Sequence, residues 1–278
     1  DIPFLSFFDN RMYYFNGMGQ VTFQHGARWS TSLGGGGFAV RRRDGLISVD
    51  SGVARGDVMY RMSRNQTIGV DYQYMTFQFP RAFGDAHLHG LALAYNARLG
   101  RSWQVQLRAG AFRIETLGQR VVDVDPLVAE ITGVRQAAEV SYSKNILPQG
   151  QASVTRMFRR GSLDFNAAIG PVPGNGLLLT SNQISGGMGY SHNLNRRSSV
   201  GLRANYVEIR GVGFVAGKME LYSGGGFFSY RFTKTLQLNA QVDRRVSQLN
   251  QARSIGVNGT RLSVGVMWSP SSLPISLW

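Results

Sequence analysis

Residues Tyr222 to Trp268 read YSGGGFFSYRFTKTLQLNAQVDRRVSQLNQARSIGVNGTRLSVGVMW. Tyr222, Phe228, Tyr230 and Phe232 share one parity, and Ser223, Ser229 and Arg231 hold the other. After a short turn at Thr233-Lys234-Thr235, Leu236, Leu238, Ala240 and Val242 alternate with Gln237, Asn239, Gln241 and Asp243. In the last run Leu262, Val264, Val266 and Trp268 alternate with Arg261, Ser263 and Gly265. Successive side chains of a strand point to opposite faces, so these are three amphipathic strands. Their apolar face packs on a second sheet, as in a soluble sandwich, or faces lipid. Two features favour lipid. Charged and amide side chains sit mid-strand on the polar face, and aromatic residues collect near the strand ends, as in an interfacial girdle.

The same unit recurs outward from this stretch. Apolar alternation ends in an aromatic residue, a short basic or polar turn follows, and the alternation returns. The turns fall at 25–28, 63–66, 98–102, 159–162, 193–197 and 233–235. Repeated hairpins of this form predict an up-and-down meander. Six hairpins and a last single strand, with Asp1–Asn10 as an N-terminal strand, predict fourteen strands. Twelve is the alternative if the first hairpin lies outside the wall. The expected fold is all-β, a transmembrane antiparallel up-and-down β-barrel forming one domain over residues 1–278. Glu115 to Gln149 breaks the rhythm and reads as a long loop with a helical turn near Pro126 to Ile131; the alternative is a further strand through Ala138, Val140 and Tyr142. Residues 269–278 read as a C-terminal tail. The run Gly34 to Gly37 is followed by no Gly-Lys-Ser/Thr, so close strand approach explains it better than phosphate binding.

Composition bounds the chemistry. The 278 residues carry 30 Lys and Arg against 16 Asp and Glu, a net charge of +14. The basic residues are spread one or two per strand or sit in turns, with no basic-aromatic nucleic-acid motif, so no nucleic-acid partner is expected. The excess is rich in arginine, which suits phosphate and carboxylate, so outer-leaflet lipid phosphates, anionic solutes or an acidic polymer are the expected partners. Absence of cysteine excludes disulfides and thiolate chemistry. The chain begins at Asp1 without a leader and reads as processed or trimmed.

The chain resembles bacterial outer-membrane β-barrels in its aromatic-ended hairpins, with short turns on one side and longer loops on the other. The resemblance implies residence in the bacterial outer membrane, with membrane lipid as its surroundings. The run Gly259-Thr260-Arg261-Leu262-Ser263-Val264-Gly265-Val266-Met267-Trp268 looks like the C-terminal signal read by the barrel assembly machinery. Gly259, Leu262, Val264, Val266 and Trp268 are the positions this implies, although ten residues follow Trp268. The hairpins SYRFTKTLQLNAQVDRR and YSHNLNRRSSVGLRANY resemble porin-like barrels associated with exopolysaccharide export, which implies passage of a polymer or solute rather than chemistry.

Candidate catalytic groups are few. Asp85, His87 and His89 share the parity of Leu91, Leu93 and Tyr95, which places the imidazoles outward near the outer rim. His192 has no serine and carboxylate spaced for a triad. Asp123, Asp125 and Glu130 match no calcium-loop spacing. No catalytic residue, metal or cofactor is therefore expected. The face opposite the apolar one carries Arg61, Asp71, Gln73, Gln104, Gln106, Arg108, Asp164, Asn166, Arg203, Asn205, Arg231, Gln237, Asn239, Gln241, Asp243, Arg245 and Arg261. These are the expected lumen-lining residues. A wet lumen with this surplus of arginine favours anions. The alternative is a plugged barrel, braced by the same groups, that docks other envelope proteins. A barrel enzyme using the rim histidines is the third reading.

Overall fold

The computed structural model describes residues 12–42, 48–80, 84–173, 180–212, 217–233, 235–250 and 254–268. Thirteen strands lie among them: β1 (Met12–His25), β2 (Trp29–Arg42), β3 (Val49–Ser63), β4 (Gln66–Gln78), β5 (Gly84–Leu99), β6 (Trp103–Asp123), β7 (Gln136–Phe158), β8 (Gly161–Pro173), β9 (Thr180–Asn193), β10 (Ser198–Gly211), β11 (Lys218–Arg231), β12 (Leu236–Asn250) and β13 (Ser254–Trp268). One helix, α1 (Pro126–Thr132), connects β6 to β7. The strands form a single antiparallel sheet in chain order. One continuous sheet replaces the two facing sheets that a sandwich requires.

The six short-turn hairpins fall where the sequence places them. The first, β1–β2, is paired to β3, so it belongs to the wall and the twelve-strand alternative is set aside. The fourteenth strand expected from Asp1–Asn10 lies outside the described residues, as does the tail 269–278. β1 and β13 are the two edges of the described sheet, and both run toward the short-turn side.

The loop expected over 115–149 is corrected. β6 continues to Asp123 and β7 begins at Gln136, with Glu115 opposite Lys144 and Leu117 opposite Tyr142. Only the α1 segment is a true connection. Its first turn is capped by Asp125, whose Oδ1 accepts a hydrogen bond from the Leu127 N–H at 2.9 Å, and Gly133 ends it in the left-handed region. The strand survives the interrupting proline and acids because pairing to β6 supplies its backbone partners. β7 pairs with β8 only from Gly150 opposite Ile169 downward, so Pro148, which lacks an N–H, falls where β7 has already left β8. Within the Gly34–Gly37 run, a Cβ on Gly36 would run into the Gly17 carbonyl of the neighbouring strand, so close approach explains that glycine.

The parity of polarity inverts along the strands. On the short-turn side of β6, Leu107 points outward and Arg108 inward; above, Arg113 and Glu115 point outward and Phe112 and Ile114 inward. On β10, Leu202 is outward and Arg203 inward, but farther up Glu208 is outward between inward Val207 and Ile209. On β5, outward Leu93 and Leu91 give way to His89 and His87, beside inward Leu88 and Ala86. Lipid outside and water inside require the first arrangement. Water outside and a packed lining inside require the second. The inversion therefore marks the upper edge of the membrane-spanning band.

That edge carries outward ion pairs. Arg41 meets Asp50, Arg113 and Lys144 meet Glu115, and Arg210 and Lys218 meet Glu208. The lower edge carries aromatics: Trp29 packs on Tyr60 at 4.7 Å, Tyr230 on Phe232 at 4.9 Å, and Arg156 lies over both Trp103 and Phe158. Arg156, the basic exception on an apolar face, is thus a cation–π partner in the girdle. From Trp103 to Arg113 a tilted strand rises about 25 Å, the height of an outer-membrane apolar band. Among the described residues no helix is long and apolar enough to cross a membrane.

Candidate functional site

The inner face is the candidate site. Strand pairing puts all seventeen expected lumen residues on it: Arg61 on β3, Asp71 and Gln73 on β4, Gln104, Gln106 and Arg108 on β6, Asp164 and Asn166 on β8, Arg203 and Asn205 on β10, Arg231 on β11, Gln237, Asn239, Gln241, Asp243 and Arg245 on β12, and Arg261 on β13.

Two networks gather some of these groups. Asp71 is fully buried and bridges Arg55, whose Nε donates at 2.5 Å, and Arg108. Asp57 stands opposite Asp71 across the β3–β4 pair, so two carboxylates and two guanidinium groups share one patch. Across the barrel wall, Asp243 accepts from Arg203 Nη2 at 2.8 Å and from Gln241. Below it on the same strand, Gln237 Nε2 donates to Ser229 at 2.6 Å and to Asn239 at 2.9 Å. Glycines make room for the inward carboxylates. A Cβ on Gly225 would strike the Asp243 carboxylate, and one on Gly189 would lie 2.6 Å from Asp164 Oδ1.

Arg61, Arg231, Arg245 and Arg261 are different. Among the described residues none has an ion-pair partner, although all four share the inner face. Sequence reading missed Arg55 and Asp57. The signal was available, because Val58 and Tyr60 point outward and fix the parity of both.

It also missed the apolar part of the inner face. Val49, Met75, Phe77, Ala86, Leu88, Phe112 and Ile114 form a buried cluster toward the long-loop side, and Val207, Ile209, Met219 and Leu221 form a second on β10–β11. These residues lie above the polarity inversion, where the inner face is packed rather than polar.

The histidines are where parity places them, outward at the upper rim. His89 Nδ1 and Tyr72 Oη are 2.8 Å apart, and His87 Nδ1 and Tyr74 Oη are 2.9 Å apart, with Asp85 3.2 Å from the other His87 nitrogen. His192 lies beside the Tyr190 hydroxyl on the lower rim. His25 ends β1 rather than standing in the turn, and pairs with Trp29. Of the loop acids, Asp125 caps α1 and Asp123 accepts from Gln136. Among the described residues no three His, Cys, Asp or Glu side chains are grouped to hold a metal ion.

An antiparallel meander with an apolar outer band, an aromatic girdle below and a charged belt above is the fold of a bacterial outer-membrane β-barrel, and that fold places the chain in the outer membrane. Among solved structures it is similar to the closed form of the ferric-catecholate import receptor Fiu from E. coli K12, at 9% identity and a TM-score of 0.54, with 86% of this chain and 48% of the receptor covered. The ferric yersiniabactin uptake receptor FyuA from Yersinia pestis matches at 12% identity and a TM-score of 0.49, covering 87% and 44%. OmpT of Vibrio cholerae matches at 7% identity and a TM-score of 0.39, covering 92% and 97%. The chain thus spans about half the length of the two receptors. No protein-family model matches the chain, and no curated protein matches it in sequence.

Proposed function

We propose that the barrel is a passive outer-membrane channel for anionic solutes, from small anions to an extended acidic polysaccharide, and that it does no covalent chemistry. The observation that carries this reading is the set of inward arginines that make no ion pair among the described residues, Arg61, Arg231, Arg245 and Arg261. Fixed positive charge along a wet path lowers the barrier to anions through partly screened water, over a Debye length of about 8 Å at physiological salt. Arg108 and Arg203 contribute less to selectivity than to bracing, because aspartates already neutralise them.

Planar-bilayer recordings of the purified protein test the reading. Discrete conductance steps with an anion-selective reversal potential are expected. Arg245→Gln with Arg261→Gln should shift that potential toward zero, most strongly at low salt, without loss of the folded barrel. A folded protein with no conductance would transfer support to the second reading, a plugged barrel that docks other envelope proteins. The apolar clusters of the inner face and the buried Asp71 patch favour that reading on the upper side of the wall.

Assembly belongs to the same proposal. Gly259, Leu262, Val264, Val266 and Trp268 lie on β13, with the last four pointing outward and exposed, as a segment read by the barrel assembly machinery must. Trp268→Ala is expected to slow machinery-assisted assembly in proteoliposomes, whereas removal of 273–278 should leave the rate nearly unchanged. The opposite ranking would move the signal to the terminal residues.

A further inference from the structure

Among the described residues, one outward arginine of the strands, Arg244, is used by neither the rim ion pairs nor the aromatic girdle. Arg244 lies on β12 between outward Val242 and Val246, opposite Gly224 of β11. It is exposed, and among the described residues its side chain has no hydrogen-bond or ion-pair partner. A lone guanidinium on the lipid face is costly at the midplane and well tolerated near the interface, so its position matters. Tyr206 and Tyr222, which pack at 5.0 Å, lie just below the charged belt of Glu208, Lys218 and Glu220, and Arg244 stands one outward position below the Tyr222–Val246 pair. From there its long side chain can extend upward past the tyrosines toward the headgroups.

Beside Arg244 the wall is hollow. Ala204 on β10 lies opposite Gly224 on β11, and Gly186 on β9, opposite Tyr206, is diagonal to Ala204; all three are outward, and their small size leaves a hollow of about 620 Å³. Tyr206 and Tyr222 roof it and Phe165 and Met188 flank it. A second outward hollow of about 490 Å³ lies lower, over Gly226, and no basic residue lines it. Of these two hollows, the upper one joins an apolar groove to a cation that has no ion-pair partner among the described residues.

We propose that this surface binds one phosphate-bearing acylated lipid, with an acyl chain in the Gly186–Ala204–Gly224 hollow and the phosphate on Arg244. Neither part suffices alone. The groove supplies burial without direction, and the guanidinium supplies charge-assisted hydrogen bonds without a place for the chain. The site is on the lipid face and is independent of whether the lumen conducts.

The test is native mass spectrometry of the full chain released from detergent micelles, with three probes: phosphatidylglycerol, diacylglycerol of the same chains, and glycerol phosphate. Phosphatidylglycerol should be retained at one copy, and the other two should not be. Arg244→Gln should weaken retention about tenfold or more, the size of a lost charge-assisted bond. Gly224→Val should do the same with the arginine intact. A Cβ at Gly224 would meet only the Arg203 carbonyl oxygen, at 3.8 Å, so this variant fills the groove without disturbing the sheet. Gly226→Val, in the lower hollow, is the matched control and should retain the lipid. Unchanged retention by either Arg244→Gln or Gly224→Val overturns the proposal. Glycerol phosphate binding as tightly as the lipid would reassign Arg244 to a free-phosphate site and overturn it equally.

Discussion

Asp71→Ala is expected to lower the stability of the folded barrel by about 3–5 kcal/mol, the range for breaking a buried ion pair by removing one partner. Asp71 has no solvent exposure and neutralises both Arg55 and Arg108. Its loss strands Arg108, whose side chain is mostly buried, and brings two guanidinium groups face to face. Asp57 alone remains to offset them. Asp243→Ala should cost less, because its partner Arg203 is nearly half exposed and can recover water. Urea-driven unfolding from lipid vesicles measures both. Equal effects would mean that the inner face is uniformly wet and that the Asp71 patch braces nothing.

Val264→Arg is expected to impede insertion, with a cost of about 2–4 kcal/mol if the residue lies near the bilayer midplane. Val264 is 67% exposed and points outward from β13 opposite Ala240. Four residues above the girdle residue Trp268, it stands about 10 Å into the apolar band. Ser263→Arg, one position away, faces inward and should be tolerated. The informative result is the contrast between the two in vesicle folding yield. Equal yields would remove lipid from the outer face.

The hairpins were legible in the sequence because a period of two is a strong signal when one side meets lipid and the other water. Leu236, Leu238 and Ala240 against Gln237, Asn239 and Gln241 fix both strand and orientation. The same reasoning explains what was not legible. Above the membrane edge the outer face is wet and the inner face packed, so the alternation continues with its sign reversed. Read with a fixed sign, Glu115 and Lys144 look like a break in the pattern and become a loop. Read with the reversal, they continue the strands. Individual inner-face residues were placed by parity, but their partners were not, since the pairing of Arg55 with Asp71 depends on strand register. The outward Arg244 had the parity of Leu238 and Val242 throughout, and only the neighbouring glycines on two other strands give it a role.

Pairing in strict chain order has a kinetic consequence. Every described seam joins strands adjacent in sequence, so each can form as a local hairpin or by addition to one. The seam that would close the wall must instead join the two ends of the sheet, whose edges among the described residues are β1 and β13. Lengthening a closed loop from about 30 residues to about 250 adds only about 2 kcal/mol of chain entropy. An edge left open in hydrocarbon carries a whole row of unpaired N–H and C=O groups, at several kcal/mol each. The open edge is therefore far more costly than the long loop. Closure should be limited not by the search for distant ends but by keeping both edges out of lipid until they meet, and a catalyst that shelters β13 acts on the step that matters most.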